Sequence, residues 1–453
     1  MFISKVFGQE SNSSLLSKDN ISSFIMKEFK GAVNNHLKNG SNGISIVTGA
    51  ISPTSIDISG YGNLSKSNDK PVNGDTLFDI ASITKTFTTL LFADMIEKGE
   101  VNLNDPVEKY LPSNVTIPGY NGQKITLEQL ATHTSGLPDF PLNFVRNQSY
   151  SDKQIYDKLA DTKLLSRPGA IVNYSDIGMA LLGHALSFKA HKSFEQLVDE
   201  RILKVLGMNS TGITLTNETK FHFAKGHMAG KEIGLEFLPE LIQPAGAMYS
   251  SAKDLLKYLS ANLNFIHTKL NLPMQDTHLL RQVLSSSQSS NQTLPLTTYV
   301  GLGWITTTNF ISSVTWHTGS IYGYTSFIGF NPEKKTGIVI LCSCDDSNVP
   351  LKEMIKIGIQ YLLTPIAKIN NINNGGGAGG NATSGNIGDG GSCFALIIGK
   401  ACGGSTGSTE PRGGAGGNGG GISSNSGNAS DPQAGGINHN NNRTNGGSII
   451  TMN

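Results

Sequence analysis

Net charge is nearly absent from this chain. Its 35 Lys and Arg offset 34 Asp and Glu, which leaves a formal charge of +1. Without basic runs, such a balance argues against nucleic acid as a partner. Long apolar runs are absent too: no stretch reaches the ~18 residues that a membrane-spanning helix requires. Cysteine is scarce, and Cys342, Cys344, Cys393 and Cys402 are the complete set. Four are too few for a disulfide scaffold, and no CxxC or Cys/His spacing suggests zinc, so neither metal nor cofactor is expected. Cys342 and Cys344 fall on the same side of an expected strand and read as small core residues. Cys393 and Cys402 can bridge only if their segment is ordered and the compartment oxidising.

A full signal peptide is also missing, since "MFISKVFGQE" holds only a short apolar piece. Glycosylation sequons are plentiful, however: Asn12, Asn20, Asn63, Asn114, Asn147, Asn209, Asn217 and Asn291 each begin an Asn-x-Ser/Thr triplet. They point to a secreted or cell-surface protein, with Met1 a late start and residues 1–19 a flexible stub or signal remnant. An Asn/Ser/Thr-rich composition generates such triplets by chance as well, so a cytoplasmic location stays open.

The composition changes near residue 367. Residues 367–453 hold a large share of the 53 glycines and almost no apolar side chains. Such a segment cannot bury enough surface to offset its ordering entropy. It reads as a disordered tail, with surface association as one possible role and "CFALIIGKAC" as its one apolar island.

Residues 20–366 read as one globular α+β unit. "NISSFIMKEFKGAVNNHLK" carries apolar residues at helical spacing, with Asn20 as a cap. "GISIVTGA" and "SIDISGYG" read as paired strands. A helix-rich section follows, inserted over about 100–245. Strands return in "YVGLGWITT", "SVTWHTGS", "GYTSFIGFNP" and "TGIVILCS", and "LKEMIKIGIQYLL" closes the unit as a helix. Strands from both ends are therefore expected to form one antiparallel sheet flanked by helices, with a cleft at the inserted section.

The chemistry concentrates in three stretches: "SITK" at Ser82, "NYSDIG" from Asn173, and "WHTGS" from Trp316. Ser82 and Lys85 are three residues apart at an expected helix start, within side-chain reach on one face. Acyl transfer needs a nucleophile, a base, an oxyanion hole and a substrate anchor. Ser82 supplies the first, with a backbone N–H that the helix leaves unpaired. Burial can make Lys85 less basic, and the Tyr174 phenol beside an ammonium can shuttle a proton. Gly319 lets backbone come close to a substrate, and Ser320 offers a second oxyanion N–H.

This set resembles the serine β-lactamases and penicillin-recognising enzymes. More narrowly it is similar to the class C β-lactamase, D-alanyl-D-alanine carboxypeptidase and esterase group, which has Tyr in the second motif. "LFDIASITKTFTTLLFADMIEKGEVNLNDPVEKYLP", "ITLEQLATHTSGLPDF", "PGAIVNYSDIGMALLGHAL" and "QPAGAMYSSAKDLLKYL" agree with it, over about residues 20–365. The resemblance implies a β-lactamase/transpeptidase-like fold and an acyl-enzyme on Ser82. It implies that Lys85 and Tyr174 share base and acid work, in an order it does not decide. His317, in the place where some members carry Lys, would meet a substrate carboxylate or Tyr174, together with Thr318. Asp176 departs from the Asn found in many members. An ionised carboxylate only accepts hydrogen bonds, so it cannot donate to an acylamide carbonyl and can instead pair with Lys85.

Three functional readings follow. The first is a serine hydrolase cleaving a small ester, amide or peptide. The second is a true β-lactamase or D,D-carboxypeptidase, and the third a catalytically silent binding protein. His133 is expected in a loop that supports the cleft. His222 and His227 lack the carboxylates of a metal site, Trp304 and Trp316 read as core or cleft wall, and Tyr322 or Tyr324 is expected to line the pocket.

Overall fold

The computed structural model describes residues 21–36, 43–141, 143–145, 148–235, 238–286, 296–309, 311–344 and 351–363. The expected helix cap at Asn20, the N-terminal stub, the glycine-rich tail and the Cys393/Cys402 pair lie outside the described residues.

An eight-stranded sheet organises the molecule. In chain order its strands are β1 (Ile46–Ile51), β2 (Ile56–Tyr61), β3 (Gln282–Ser286) and β4 (Thr297–Val300). They continue as β5 (Ile305–Thr308), β6 (Ser313–Ile321), β7 (Tyr324–Asn331) and β8 (Thr336–Cys342). The order across the sheet is β2-β1-β8-β7-β6-β5-β4-β3, with every neighbouring pair antiparallel. The N- and C-terminal strands meet where Ile46 opposes Cys342.

Both faces of the sheet are covered, so its central strands are apolar at consecutive positions rather than at alternate ones. In β8, Ile338 and Ile340 pack towards helices α1 (Ile21–His36) and α5 (Leu351–Leu363), while Val339 and Leu341 enter the larger core on the opposite face. That larger core holds α2 (Thr84–Glu97), α3 (Asp176–Ala190) and α4 (Ala252–Asn262). Each fully buried Leu, Ile or Phe contributes about 1.5–3 kcal/mol.

Helix α2 is central and buried nearly all round. Its polar residues are tied to neighbouring backbone: Thr88 donates to Pro244 O (2.7 Å) and Thr89 to Leu302 O (2.9 Å), while Thr84 accepts from Met248 N (3.1 Å). These bonds anchor the helix to the 244–248 segment and to the turn between β4 and β5.

Three expectations needed correction. "YVGLGWITT" is two strands, because the chain turns at Gly303, whose φ of +69° suits glycine. A side chain there would collide with Thr89 and the Lys85 carbonyl, so the turn seats directly on α2. Strand β3 was not anticipated. Cys342 and Cys344, read as small core residues, are fully buried and joined by a disulfide. The strand ends at Cys342, and the Cα atoms come to 5.2 Å, closer than the roughly 6.6 Å of two residues along an extended strand.

Among the described residues no helix is long and apolar enough to cross a membrane, and no group of three or more His, Cys, Asp or Glu is placed to hold a metal ion. His227 is buried, with Nδ1 against the Ser343 carbonyl (3.2 Å).

Candidate active site

Ser82 lies in a single 3-10 turn, Ala81–Ile83, that leads into α2. Ala81, just before it, holds a positive φ of +46°, a strained conformation for a residue with a side chain. Two bonds enforce it. The Asp79 carboxylate accepts from Ala81 N (2.8 Å), and Ser326 Oγ donates to Ile80 O (3.0 Å). Strand β6 passes alongside: β5 pairs with it only as far as Trp316, and the 81–83 turn packs against its remaining length. Gly319 makes that approach possible, because any side chain there would strike the Ile80 carbonyl oxygen. The glycine expected to admit a substrate thus admits the backbone that carries Ser82.

Lys85 is fully buried. Its ammonium donates to Ser82 Oγ (2.9 Å) and to the Ala245 carbonyl (2.7 Å), and it pairs with Asp176 Oδ1 (2.7 Å). Burial works to lower the pKa of this lysine, but Asp176 and Tyr174 outweigh it and the net shift is upward. Lys85 is therefore a charged donor at neutral pH, not a resting base. Burial likewise pushes the Tyr174 phenol up, to about 12, although Lys85 and Ser82 pull against that rise. The Lys85 ammonium lies 4.8 Å from the centre of the Tyr174 ring.

Asp176 opens α3. Ser175 caps the helix by accepting from Gly178 N (2.9 Å), and Asp139 Oδ1 accepts from Asp176 N (3.1 Å). These contacts aim the Asp176 carboxylate at Lys85.

His133 holds Tyr174 from behind. Its ring stacks on the phenol ring at 4.5 Å, its carbonyl accepts from Asn173 N (2.7 Å), and its Nδ1 accepts from Ser175 N (3.2 Å). Both residues flanking Tyr174 are thus bonded to one residue, which itself has a φ of +57°. Burial, then Lys85 and His317, keep the His133 imidazole well below its usual pKa and hence neutral. His133→Ala is expected to lower stability in urea by about 1–3 kcal/mol, since it leaves the buried Ser175 N–H without its acceptor. It should also lower kcat about tenfold or more with little change in KM, because Tyr174 loses its alignment. His133→Asn should recover part of both, since Asn tolerates positive φ and can accept from Ser175 N.

His317 does not line the main cleft. It is buried, 3% exposed, and its Nδ1 donates to Thr318 O (2.6 Å). Burial first, and then Lys85, hold its pKa at about 3. It borders a small cavity of about 20 Å³ together with His133 and Tyr174. Thr318 is buried beside it.

The main cleft, about 530 Å³, is lined by Ser82, Asp176 and Ser320 along with Ala81, Ala245 and Gly246. Its apolar wall consists of Phe140, Phe144, Tyr150, Leu238, Ile242 and Ile321. The structure thus brings Ser82, Lys85, Tyr174 and Asp176 into one cluster, and Ser320 lines the same cleft on strand β6, against which the 81–83 turn packs. His317 and Tyr174 both border the smaller cavity. Tyr324 is core, its hydroxyl donating to Ala224 O (2.8 Å), and Trp304 and Trp316 are fully buried. The Ala245 carbonyl had no signal in the sequence, since a backbone acceptor shows no side chain; His133, expected in a loop that supports the cleft, holds Tyr174.

Comparison with known proteins adds the following. A family model described as Beta-lactamase matches residues 49–360. Protein flp of Staphylococcus aureus strain MW2 is 29% identical over 298 residues, 64% of this chain and 57% of that protein. The D-alanyl-D-alanine-carboxypeptidase/endopeptidase AmpH of Escherichia coli strain K12 is 36% identical over 158 residues, 34% of this chain and 41% of that protein. The chain therefore spans 57% and 41% of the lengths of these two curated relatives. Among solved structures, a class C beta-lactamase matches with a TM-score of 0.64 at 21% identity, covering 78% of this chain and 99% of that one. The D-alanine carboxypeptidase AmpC from Burkholderia cenocepacia matches with a TM-score of 0.60 at 26% identity, covering 74% and 99%.

Proposed function

This chain belongs to the beta-lactamase family of serine hydrolases, and we propose that it cleaves a small ester, amide or peptide through an acyl-enzyme on Ser82. The observation that carries the reading is the 2.9 Å contact between the Lys85 ammonium and Ser82 Oγ at the floor of an open 530 Å³ cleft. The pairing of Lys85 with Asp176 (2.7 Å) favours Tyr174 as the base.

In the first half-reaction the phenolate form of Tyr174 takes the Ser82 proton while Oγ bonds to the carbonyl carbon. Lys85 stays protonated and stabilises both anions. The backbone N–H groups of Ser82 and Ser320 hold the oxyanion. The Tyr174 phenol then returns its proton to the leaving oxygen or nitrogen as the bond to the carbonyl carbon breaks. Water repeats the sequence, frees the acid and restores Ser82. A secreted or cell-surface location is supported by the Cys342–Cys344 disulfide, which favours an oxidising compartment.

Similarity to the Escherichia coli carboxypeptidase over 158 residues supports a second reading, cleavage of a D-alanyl peptide. Both readings share the acyl-enzyme, which a phosphonylating probe tests directly. An alkyl fluorophosphonate should add one phosphonyl group per chain with loss of fluoride, and peptide mapping should place it on Ser82. Labelling of another serine, or none, counts against the proposal.

A further inference from the structure

We propose that the cleft selects apolar acyl donors without a carboxylate, so that the substrate is an uncharged ester or amide rather than an anionic peptide or lactam. The inference rests on the acyl-enzyme reading above and specifies its substrate class.

An anionic substrate needs a cation or a set of free donors to replace its hydration. The described residues lining the cleft include no Lys, Arg or His, and one of them, Asp176, is a carboxylate. Lys85 beneath the floor is committed to Ser82, Ala245 and Asp176. Lys158 approaches the Tyr150 ring to 5.5 Å, but its ammonium donates to the Asn143 carbonyl (3.0 Å) and does not line the cleft. His317 is buried, lines the smaller cavity rather than the cleft, and is neutral, so it presents no positive charge there. Asp139, whose Oδ1 accepts from Asp176 N, adds a second acidic group at the mouth of α3.

What the described lining offers instead is apolar surface. Phe140 stacks on Phe144 at 4.8 Å, and Phe144 on Tyr150 at 4.9 Å, forming a continuous aromatic wall beside Ser82. Leu238, Ile242 and Ile321 complete it. An alkyl or aryl acyl chain can bury itself there, whereas a carboxylate placed among these rings would be desolvated beside Asp176.

Two matched esters test this on the full chain: p-nitrophenyl hexanoate, and the mono-p-nitrophenyl ester of adipic acid, in which a carboxylate replaces the terminal methyl. The hexanoate should have a kcat/KM about 100-fold higher. Gln148→Lys, which sets an ammonium on the cleft wall, should narrow that ratio at least about tenfold. A wild-type ratio near one, or one favouring the adipate, overturns the inference while leaving the acyl-enzyme reading intact. A large ratio that Gln148→Lys does not narrow places the discrimination outside this cleft and overturns it too. If neither ester acylates Ser82, the underlying reading fails and the inference falls with it.

Discussion

Ser82→Ala should lower kcat for p-nitrophenyl butyrate by at least ~10³-fold, and by up to ~10⁶-fold if chemistry limits the wild type. The expectation is this large because, among the described residues lining the cleft, Ser82 is the hydroxyl bonded to a buried ammonium. Ser320 also lines the cleft, but it sits on strand β6, whereas the Lys85 ammonium is bonded to Ser82 Oγ. The fold should tolerate the change. Ser82 is half-buried, and its loss leaves Lys85 bonded to Ala245 and Asp176, so stability in urea should shift by only about 1 kcal/mol. The comparison separates the three readings raised by the sequence. Turnover that disappears in the variant supports the nucleophile. Equal turnover places the nucleophile elsewhere, and equal inertness favours a cleft that binds without cleaving.

The second large effect is on pH dependence. Tyr174 is pushed up to about 12, and Lys85 is shifted upward as well, so the base form of either is scarce at pH 7 and grows with pH. After subtraction of the hydroxide background, kcat/KM should rise about tenfold per unit from pH 7 to pH 10. No inflection should appear near pH 6–7, because His317 is held at about 3 and His133 well below its usual value; both stay neutral. Asp176 raises both Lys85 and Tyr174, so Asp176→Asn should move the rising limb to lower pH and increase turnover at pH 8 about threefold or more. The sign for stability is separate. A lysine with a raised folded-state pKa stabilises the fold fully below its unfolded value of 10.5, and that contribution is lost as pH climbs through the folded value. Assays at or below pH 10 therefore keep the two effects apart. A bell-shaped profile centred near neutrality would contradict this account of the base.

Much of the site was legible because its signals are local. Ser82 and Lys85 are three residues apart, and a helical turn alone brings them together. Strands β6, β7 and β8 were legible for a similar reason: successive residues face alternate sides, and both sides are apolar. The break between β4 and β5 was not, because glycine also occurs inside strands and it is the seat on Thr89 that marks Gly303 as a turn.

The sequence by itself determined the α+β arrangement, the candidate nucleophile and the presence of a carboxylate at position 176, since these follow from residue type and short-range spacing. Only the tertiary structure decided the charge state of the site. Asp176 reaches Lys85 from 91 positions away along the chain, and the Ala245 carbonyl from 160. That ion pair, in a buried setting, keeps the lysine charged, which in the proposed mechanism leaves base work to the phenol. Burial also takes the charge from His317, which as a free side chain would titrate near neutrality. Such effects depend on distances and desolvation between distant segments, and neither quantity exists until the chain has folded.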